Sequence, residues 1–184
     1  MQENGIKSKH IVSMSAINTQ LAPIVLFVYN RPEHSCKTLE ALAKNELAEQ
    51  SRLYIYADAP KANATSDDIE ANETAKKLIT EFQWPGSKQI IERSENYGLA
   101  RNIVDGVTEI IDKFGKIIVL EDDLITSRGF LDYMNNALTF YEDVDKVMHV
   151  TGHMHPLPYK LPETFFYRVP GSWGWGTWKS SWCN

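Results

Sequence analysis

Short, continuous apolar runs alternate along the chain with longer segments whose apolar residues recur every three or four positions. Two of the runs, PIVLFVYN at residues 23–30 and KIIVLEDD at residues 116–123, end abruptly in polar side chains. A continuous apolar run of strand length is typical of a strand buried on both faces, as in parallel sheets covered by helices. The alternation therefore predicts an α/β fold, a mostly parallel, Rossmann-like sheet with helices on both faces.

The same pattern places the individual elements. The predicted strands lie at residues 23–30, 52–58, 88–94, 116–120, 147–151 and 165–169. Helices are predicted after each of the first four strands. Thr65 and Asp68 have the spacing of a capping box at the start of the second helix, and Gly115 is placed to end the third.

Three acids, Glu121, Asp122 and Asp123, directly follow apolar residues 117–120. Adjacent carboxylates repel one another and lose hydration at the rim of a core, so a compensating cation is expected. Alternate side chains of an extended segment share a face, which predicts that Glu121 and Asp123 point into one crevice and Asp122 points elsewhere. A divalent cation is one way to compensate these charges; an acidic turn in water is the alternative.

Three further polar residues, Asn30, Asp58 and Asn96, also fall at the carboxyl ends of predicted strands. Open α/β sheets bind their ligands beyond these ends. A phosphatase of the haloacid dehalogenase type also carries paired aspartates after an apolar strand, but its nucleophilic aspartate is replaced here by Glu121. A metal and nucleotide site is therefore the better prediction.

The composition limits the classes of protein to consider. The chain has 184 residues and predicts one domain at residues 22–184 behind a polar, flexible tail at residues 1–21. A net charge of -5 without any Lys/Arg cluster excludes phosphate-driven nucleic-acid binding. No apolar stretch approaches the roughly 18 residues of a transmembrane helix. Two distant cysteines without metal spacing favour a reduced compartment, and we expect a cytoplasmic protein.

The segment GSWGWGTWKSSW at residues 171–182 contains four of the five tryptophans. Glycines between them favour a loop shaped against a ligand over a packed strand, since aromatic faces suit the apolar faces of sugar rings. Buried core tryptophans are the alternative. His153 and His155 are spaced so that two imidazoles could meet one metal ion, or they are loop residues satisfied by backbone or water.

The stretch RSENYGLARNIVDGV at residues 93–107, followed by the acidic triplet, resembles the N-x-G-x-x-x-N…DxD arrangement of nucleotide-sugar glycosyltransferases of the GT-A fold. A closer resemblance is to the N-acetylglucosaminyltransferase I group and related bacterial sugar transferases. It is carried by YNRPE after the first strand, Asp58, VLEDDL and PGSWGWGTW. Four motifs in the same order over residues 22–184 carry the resemblance.

The resemblance implies a metal-dependent, inverting enzyme that moves a sugar from a UDP-sugar to a glycan or other hydroxyl acceptor. It implies a nucleotide-sugar site formed by Val28, Tyr29, Asn30, Arg31, Asp58, Asn96, Arg101, Glu121 and Asp122. Asp58 would accept a hydrogen bond from uracil, and Asp123 would ligate Mn²⁺ or Mg²⁺. Trp173, Gly174 and Trp175 would shape the sugar and acceptor pocket.

The catalytic base that the resemblance implies lies in a segment beyond the Gly/Trp-rich loop, so we expect it after Asn184 and expect the domain to lack its C-terminal part. Asp143, Asp145 and Glu163 precede that loop and match no catalytic motif. Two other functions stay open. A nucleotidyltransferase that forms nucleotide sugars would need a Gly-rich stretch after the first strand, which YNRPEHS lacks. A non-catalytic nucleotide- or sugar-binding module would need neither that stretch nor a catalytic base.

Overall fold

A computed structural model describes residues 20–158 and 160–183, so the predicted tail lies almost entirely outside the described residues. Six strands form one sheet in the order β3-β2-β1-β4-β6-β5. Their bounds are β1 Ile24–Val28, β2 Arg52–Ala57, β3 Ser87–Glu92, β4 Lys116–Glu121, β5 Val150–Thr151 and β6 Trp175–Trp178. The first four predicted strands are confirmed to within a few residues.

The central strands run parallel, as their apolar composition predicts. β1 pairs with β2 on one side and with β4 on the other, and all five residues of β1 are buried. β6 runs antiparallel to both β4 and β5. The chain adds β2 and β3 to one side of β1 and then returns to place β4 on the other side. The order of the sheet therefore reverses between β1 and β4.

Helices cover both faces of the sheet, in agreement with the prediction. Their bounds are α1 Pro32–Ala43, α2 Ser66–Glu81, α3 Gly98–Phe114, α4 Phe130–Phe140 and the short α5 Lys179–Trp182. Buried side chains of α1, α2 and α4 pack on one face, and those of α3 pack on the other, where α5 adds Trp182. Each fully buried Leu or Ile in these layers stabilises the fold by about 1.5–3 kcal/mol. No helix among the described residues is long and apolar enough to cross a membrane.

Local signals at the helix ends are confirmed. Thr65 Oγ1 accepts from the backbone N–H of Asp68, and the Asp68 carboxylate accepts from the backbone N–H of Thr65, which forms the predicted capping box. Gly115 follows α3 with a φ of 80°, a left-handed conformation that favours glycine, so its backbone N–H can bond to the Ile111 carbonyl.

Two predictions about the last third of the chain are wrong. Residues 165–169 form no strand, and Phe166 and Val169 there are 74% and 58% exposed. The Gly/Trp-rich segment is not only a loop, because its second half forms strand β6 between β4 and β5. Gly176 explains the composition: a Cβ there would lie 2.8 Å from the Ile117 carbonyl oxygen and 3.1 Å from a methyl carbon of Met134, so only glycine fits without a shift.

Candidate functional site

Arg31, just after β1, meets two of the three acids after β4 at the point where the strand order reverses. Its Nη1 donates to Asp123 Oδ2 at 3.0 Å, and its Nη2 forms a short hydrogen bond to Asp122 Oδ1. The backbone N–H of Tyr29 donates to the other Asp122 oxygen at 3.4 Å. Ligands of open α/β sheets bind at such reversal points, so the structure brings these residues together where a ligand site is expected.

The structure corrects the predicted orientation of the acids. β4 ends at Glu121 and the chain turns at the next two residues, so the alternation of an extended strand does not continue. Asp122 and Asp123 consequently share the Arg31 guanidinium, whereas Asp122 was expected to point elsewhere. The Asp122 side chain is only 3% exposed, while that of Asp123 is 43% exposed.

The three acids differ in their electrostatic surroundings. Burial raises the pKa of Glu121, and the neighbouring charges of Asp123 and Asp122 raise it further. Burial also raises the pKa of Asp122, but Arg31 opposes that rise. Burial works to lower the pKa of Arg31, yet its two carboxylate partners outweigh it and raise the pKa. The turn is therefore a negative site whose charge is partly compensated by one arginine.

The donor set at this turn fits a hard cation only in part. Among residues 20–158 and 160–183, no group of three His, Cys, Asp or Glu side chains could hold a metal ion. Mg²⁺, however, is commonly bound through one or two carboxylates together with substrate phosphates and waters. The exposed carboxylate of Asp123 meets that requirement, so the metal remains a prediction that depends on a phosphate-bearing ligand.

Asp58, expected to bind uracil, has its carboxylate occupied by donors of the chain itself. Oδ1 accepts from the backbone N–H groups of Ala59 and Tyr97, and Oδ2 accepts from Asn96 Nδ2 and the backbone N–H of Gly98, at distances of 2.9–3.2 Å. These bonds tie the end of β2 to the start of α3. Contact between Asp58 and a base remains a prediction, and it requires at least one of these donors to be displaced.

The other residues expected at the nucleotide are spread around this end of the sheet. Asn30 Nδ2 donates to Asp68 Oδ1 at 3.0 Å, which joins the end of β1 to the start of α2. Arg101 is more than half exposed, pairs with Glu95 and Asp105, and stacks over a tyrosine ring. The Val28 side chain is buried in the core, so only its backbone is available to a ligand.

Arg93, which belongs to the motif but was not assigned to the site, holds a central position beside β2. Its guanidinium carbon lies 4.7 Å from the ring centroids of both Tyr56 and Tyr97, and its Nε donates to Asn102 Oδ1. One terminal nitrogen is buried without a partner among the described residues. The sequence does not predict this stacking, because Tyr56 belongs to β2 and is distant from Arg93 in the chain.

Two adjoining cavities open on the β4–β6–β5 side of the sheet. The smaller, of about 520 Å³, is lined by Asp123 together with His153, Trp173 and Gly174. The larger, of about 580 Å³, shares His153 and Trp173 and is also lined by Glu163. The acidic turn therefore borders a cavity with aromatic walls. The residues expected to bind the nucleotide base line neither cavity.

The tryptophans of the Gly/Trp-rich segment divide between two locations. Trp173 is 48% exposed and packs edge-on against the rings of His153 and His155, so these histidines belong to an aromatic cluster. Trp175, expected in the same pocket, instead stacks between His149 and Trp182 on the α3 face of the sheet. Alternate residues of a strand share a face, but Trp173 precedes β6 and Gly174 has a left-handed φ of 64°, so the two tryptophans diverge. A role for Trp175 at a ligand stays a prediction.

Glu163 also lies where sequence reasoning did not place it. In the sequence it precedes the Gly/Trp-rich segment and matches no catalytic motif. Among the described residues that line the larger cavity, it is the one with a carboxylate. Only the folding of residues 152–155 and 163–173 around that cavity brings it near Trp173, and no local sequence signal marks this.

Comparison with known proteins does not identify a family for the chain. No protein-family model and no curated protein matches the chain. Among the solved structures that resemble it is S. aureus TarS, at 12% sequence identity and a TM-score of 0.44. That match covers 67% of this chain and 20% of the TarS chain, so the chain spans about a fifth of that protein. A likeness at this level does not establish function.

Proposed function

We propose that the chain is a glycosyltransferase domain of the GT-A type that moves a sugar from a UDP-sugar to a hydroxyl acceptor with the help of Mn²⁺ or Mg²⁺. The observation that carries the proposal is the meeting of Arg31, Asp122 and Asp123 at the reversal point of the sheet, beside a cavity lined by Trp173. A diphosphate needs positive charge, and a sugar favours aromatic walls. A cation on Asp123 together with Arg31 would supply the positive charge, and Trp173 would supply the aromatic wall.

The donor side would be formed by the acidic turn and the ends of β1 and β2. Asp123 would hold the cation, which would neutralise the charge that develops on the leaving diphosphate. Arg31 is always charged and can donate two parallel hydrogen bonds to phosphate oxygens. Glu121, half-buried at the end of β4, would face the ribose or the donor sugar. The closer likeness to the N-acetylglucosaminyltransferase I group rests on the sequence motifs alone.

The acceptor side would be the larger cavity. A base after Asn184 stays a prediction, but among the described residues we propose Glu163 for this role, since its carboxylate lines that cavity together with Trp173. In a single displacement the acceptor oxygen bonds to the anomeric carbon and the bond from that carbon to the diphosphate breaks. The acceptor proton passes to the Glu163 carboxylate. Attack from the face opposite the leaving group inverts the anomeric configuration.

A panel of UDP-, GDP- and dTDP-sugars, with and without Mn²⁺, tests the proposal. Sugar transfer to added glycans, measured as acceptor-dependent release of UDP, supports it. Formation of nucleoside triphosphate from pyrophosphate would support the nucleotidyltransferase alternative. Binding without turnover would support a non-catalytic module, for which the exposed Trp173 beside two histidines is the specific observation.

The role of Glu163 is tested separately. Loss of a general base lowers the rate typically ~10²- to 10⁴-fold, so Glu163→Gln is expected to reduce kcat by that factor and to leave UDP affinity unchanged. Glu142→Gln is the matched control, because Glu142 is exposed and pairs with Lys116 away from both cavities. An unchanged kcat in Glu163→Gln would show that the base lies elsewhere.

A further inference from the structure

Asn72 is a buried amide on the face of α2 that packs against the sheet. The buried residues of α2 are Asn72, Ala75 and Ile79, a spacing of three and four that places them on one helical face. Periodicity alone favours an apolar residue at the first of these positions. The chain instead has an asparagine that is 1% exposed, so its polar atoms need partners within the fold.

The amide donates to two strand ends at once. Asn72 Nδ2 donates to the Tyr29 carbonyl oxygen at 2.8 Å and to the Asp58 carbonyl oxygen at 2.9 Å, so both of its hydrogens are used. The register of β1 and β2 ends at Val28 and Ala57, and one further backbone bond runs from the Asp58 N–H to the Val28 carbonyl. Beyond that point the Asn72 side chain joins the two strand ends.

The two carbonyls belong to two sides of the proposed nucleotide site. Tyr29 lies two residues before Arg31, whose guanidinium meets the acids after β4. Asp58 holds the side chain of Asn96 through its carboxylate. The amide of Asn72 therefore fixes the β1 side and the β2 side of that site relative to each other.

The same side chain carries a polar atom that gains nothing from burial. Asn72 Oδ1 is buried and accepts no hydrogen bond among the described residues. A buried acceptor without a partner destabilises a fold, so packing alone does not account for an amide at this position. What the amide provides, and an apolar side chain would not, is the pair of donors at the strand ends.

We propose that Asn72 is a positioning residue for the nucleotide, which holds the ends of β1 and β2 at the separation at which Arg31 and Asn96 reach one nucleoside diphosphate. The inference rests on the proposed function for the identity of this ligand. Asn72 itself touches no ligand and acts through the Tyr29 and Asp58 carbonyls. Without it, the ligand must order the strand ends as it binds, and that cost reduces its affinity.

Calorimetry of UDP binding tests the inference in the wild type, in Asn72→Asp and in Asn135→Asp. Mg²⁺ is present in every sample, and the temperature is one at which all three chains are folded. Asn72→Asp keeps the shape of the side chain but removes both donors. Asn135 is the matched control, since it is also a buried helical asparagine, and its amide contacts Leu131 and, before the start of β1, Ala22.

The expected result is a loss of affinity that depends on pH. At neutral pH Asn72→Asp should bind UDP about tenfold more weakly than the wild type, because a carboxylate that faces two carbonyl oxygens replaces two donated bonds. As the pH falls towards about 5, the buried carboxylate takes up a proton and donates to one carbonyl, so the difference should narrow to about threefold. Asn135→Asp should lower Tm but keep UDP affinity within about twofold of the wild type, because its contacts are distant from these strand ends.

Three contrary results would overturn the inference. UDP affinity in Asn72→Asp equal to that of the wild type would do so and leave the proposed function standing. Equal weakening by Asn72→Asp and Asn135→Asp would show that Asn72 has only a packing role. No UDP binding by the wild type would overturn the proposed function together with the inference.

A measurement on the wild type covers the case in which Asn72→Asp does not fold. Nuclear magnetic resonance follows the exchange of the Nδ2 hydrogens of Asn72 and Asn135 with solvent, with and without UDP. UDP should slow the exchange at Asn72 by about threefold and leave Asn135 unchanged, because a ligand that uses the joined strand ends stabilises the bonds that join them. Unchanged or faster exchange at Asn72 with saturating UDP would contradict the positioning role.

Discussion

Replacing Asp58 with asparagine should destabilise the fold as well as weaken ligand binding. The Asp58 residue is 4% exposed and accepts four hydrogen bonds, two on each oxygen. Asparagine has nearly the same volume but turns one oxygen into an NH₂ group. Two donors then lose their acceptor and face another donor. The negative charge near the start of α3, which interacts favourably with the helix dipole, is lost as well.

The size of the effect follows from these contacts. Each hydrogen bond to a charged acceptor contributes about 1.5–3 kcal/mol. Tyr97 and Gly98 are only half-buried, so water can partly replace the lost acceptor. We therefore expect the free energy of unfolding to fall by about 2–4 kcal/mol. In a chain of this size that corresponds to a decrease in Tm of about 5–15 °C.

Urea and thermal denaturation measure this change, with Asp67→Asn as the control. Asp67 lies exposed in the first turn of α2, and its substitution should change stability by no more than about 0.5 kcal/mol. At a temperature where the variant is folded, calorimetry should show UDP and UDP-sugars weakened by similar factors, because the turn that carries Asn96 is displaced. A Tm of Asp58→Asn within about 2 °C of the wild type would refute the reasoning, and a loss confined to one sugar would exclude a role at the base.

Three further predictions concern the cavity, the acidic turn and the α3 face. Trp173→Ala should leave Tm within about 2 °C of the wild type and should abolish any rise in Tm that added glycans cause in the wild type. Trp175→Ala should lower the free energy of unfolding by about 3 kcal/mol in urea denaturation. Equal Tm values for the two variants would contradict this division. Calorimetry on Asp123→Ala should show that Mn²⁺ no longer strengthens UDP binding, and an unchanged Mn²⁺ effect would exclude Asp123 as the ligand. Burial lowers the pKa of His149 below its ordinary 6.5, against a hydrogen bond to the Gly171 carbonyl. The unfolded chain then binds more protons, so stability should fall as pH drops below about 6.5, and His149→Phe should remove that share of the slope.

The sequence by itself determined the elements whose signals are local. The continuous apolar runs gave β1, β2 and β4, because a strand buried on both faces needs no polar alternation. The capping box at Thr65 and the left-handed Gly115 depend only on neighbouring backbone groups, and both are present. The clustering of polar residues at one end of a parallel sheet follows from strand direction alone, which is why Arg31 and the acids could be expected at one edge.

Only the tertiary structure decided what those residues touch. Asp122 turned towards Arg31 because the strand ended at Glu121, two residues before Asp123, so its alternation did not extend through the acids. The Gly/Trp-rich segment became a strand because β4 offered an open edge and Gly176 allowed close approach of α4 and β4, a contact between segments about forty and sixty residues apart. Glu163 reached the cavity through the path of a loop without periodicity. Local sequence fixes conformation where hydrogen bonds are local, whereas partners distant in the chain are chosen by packing of the whole sheet.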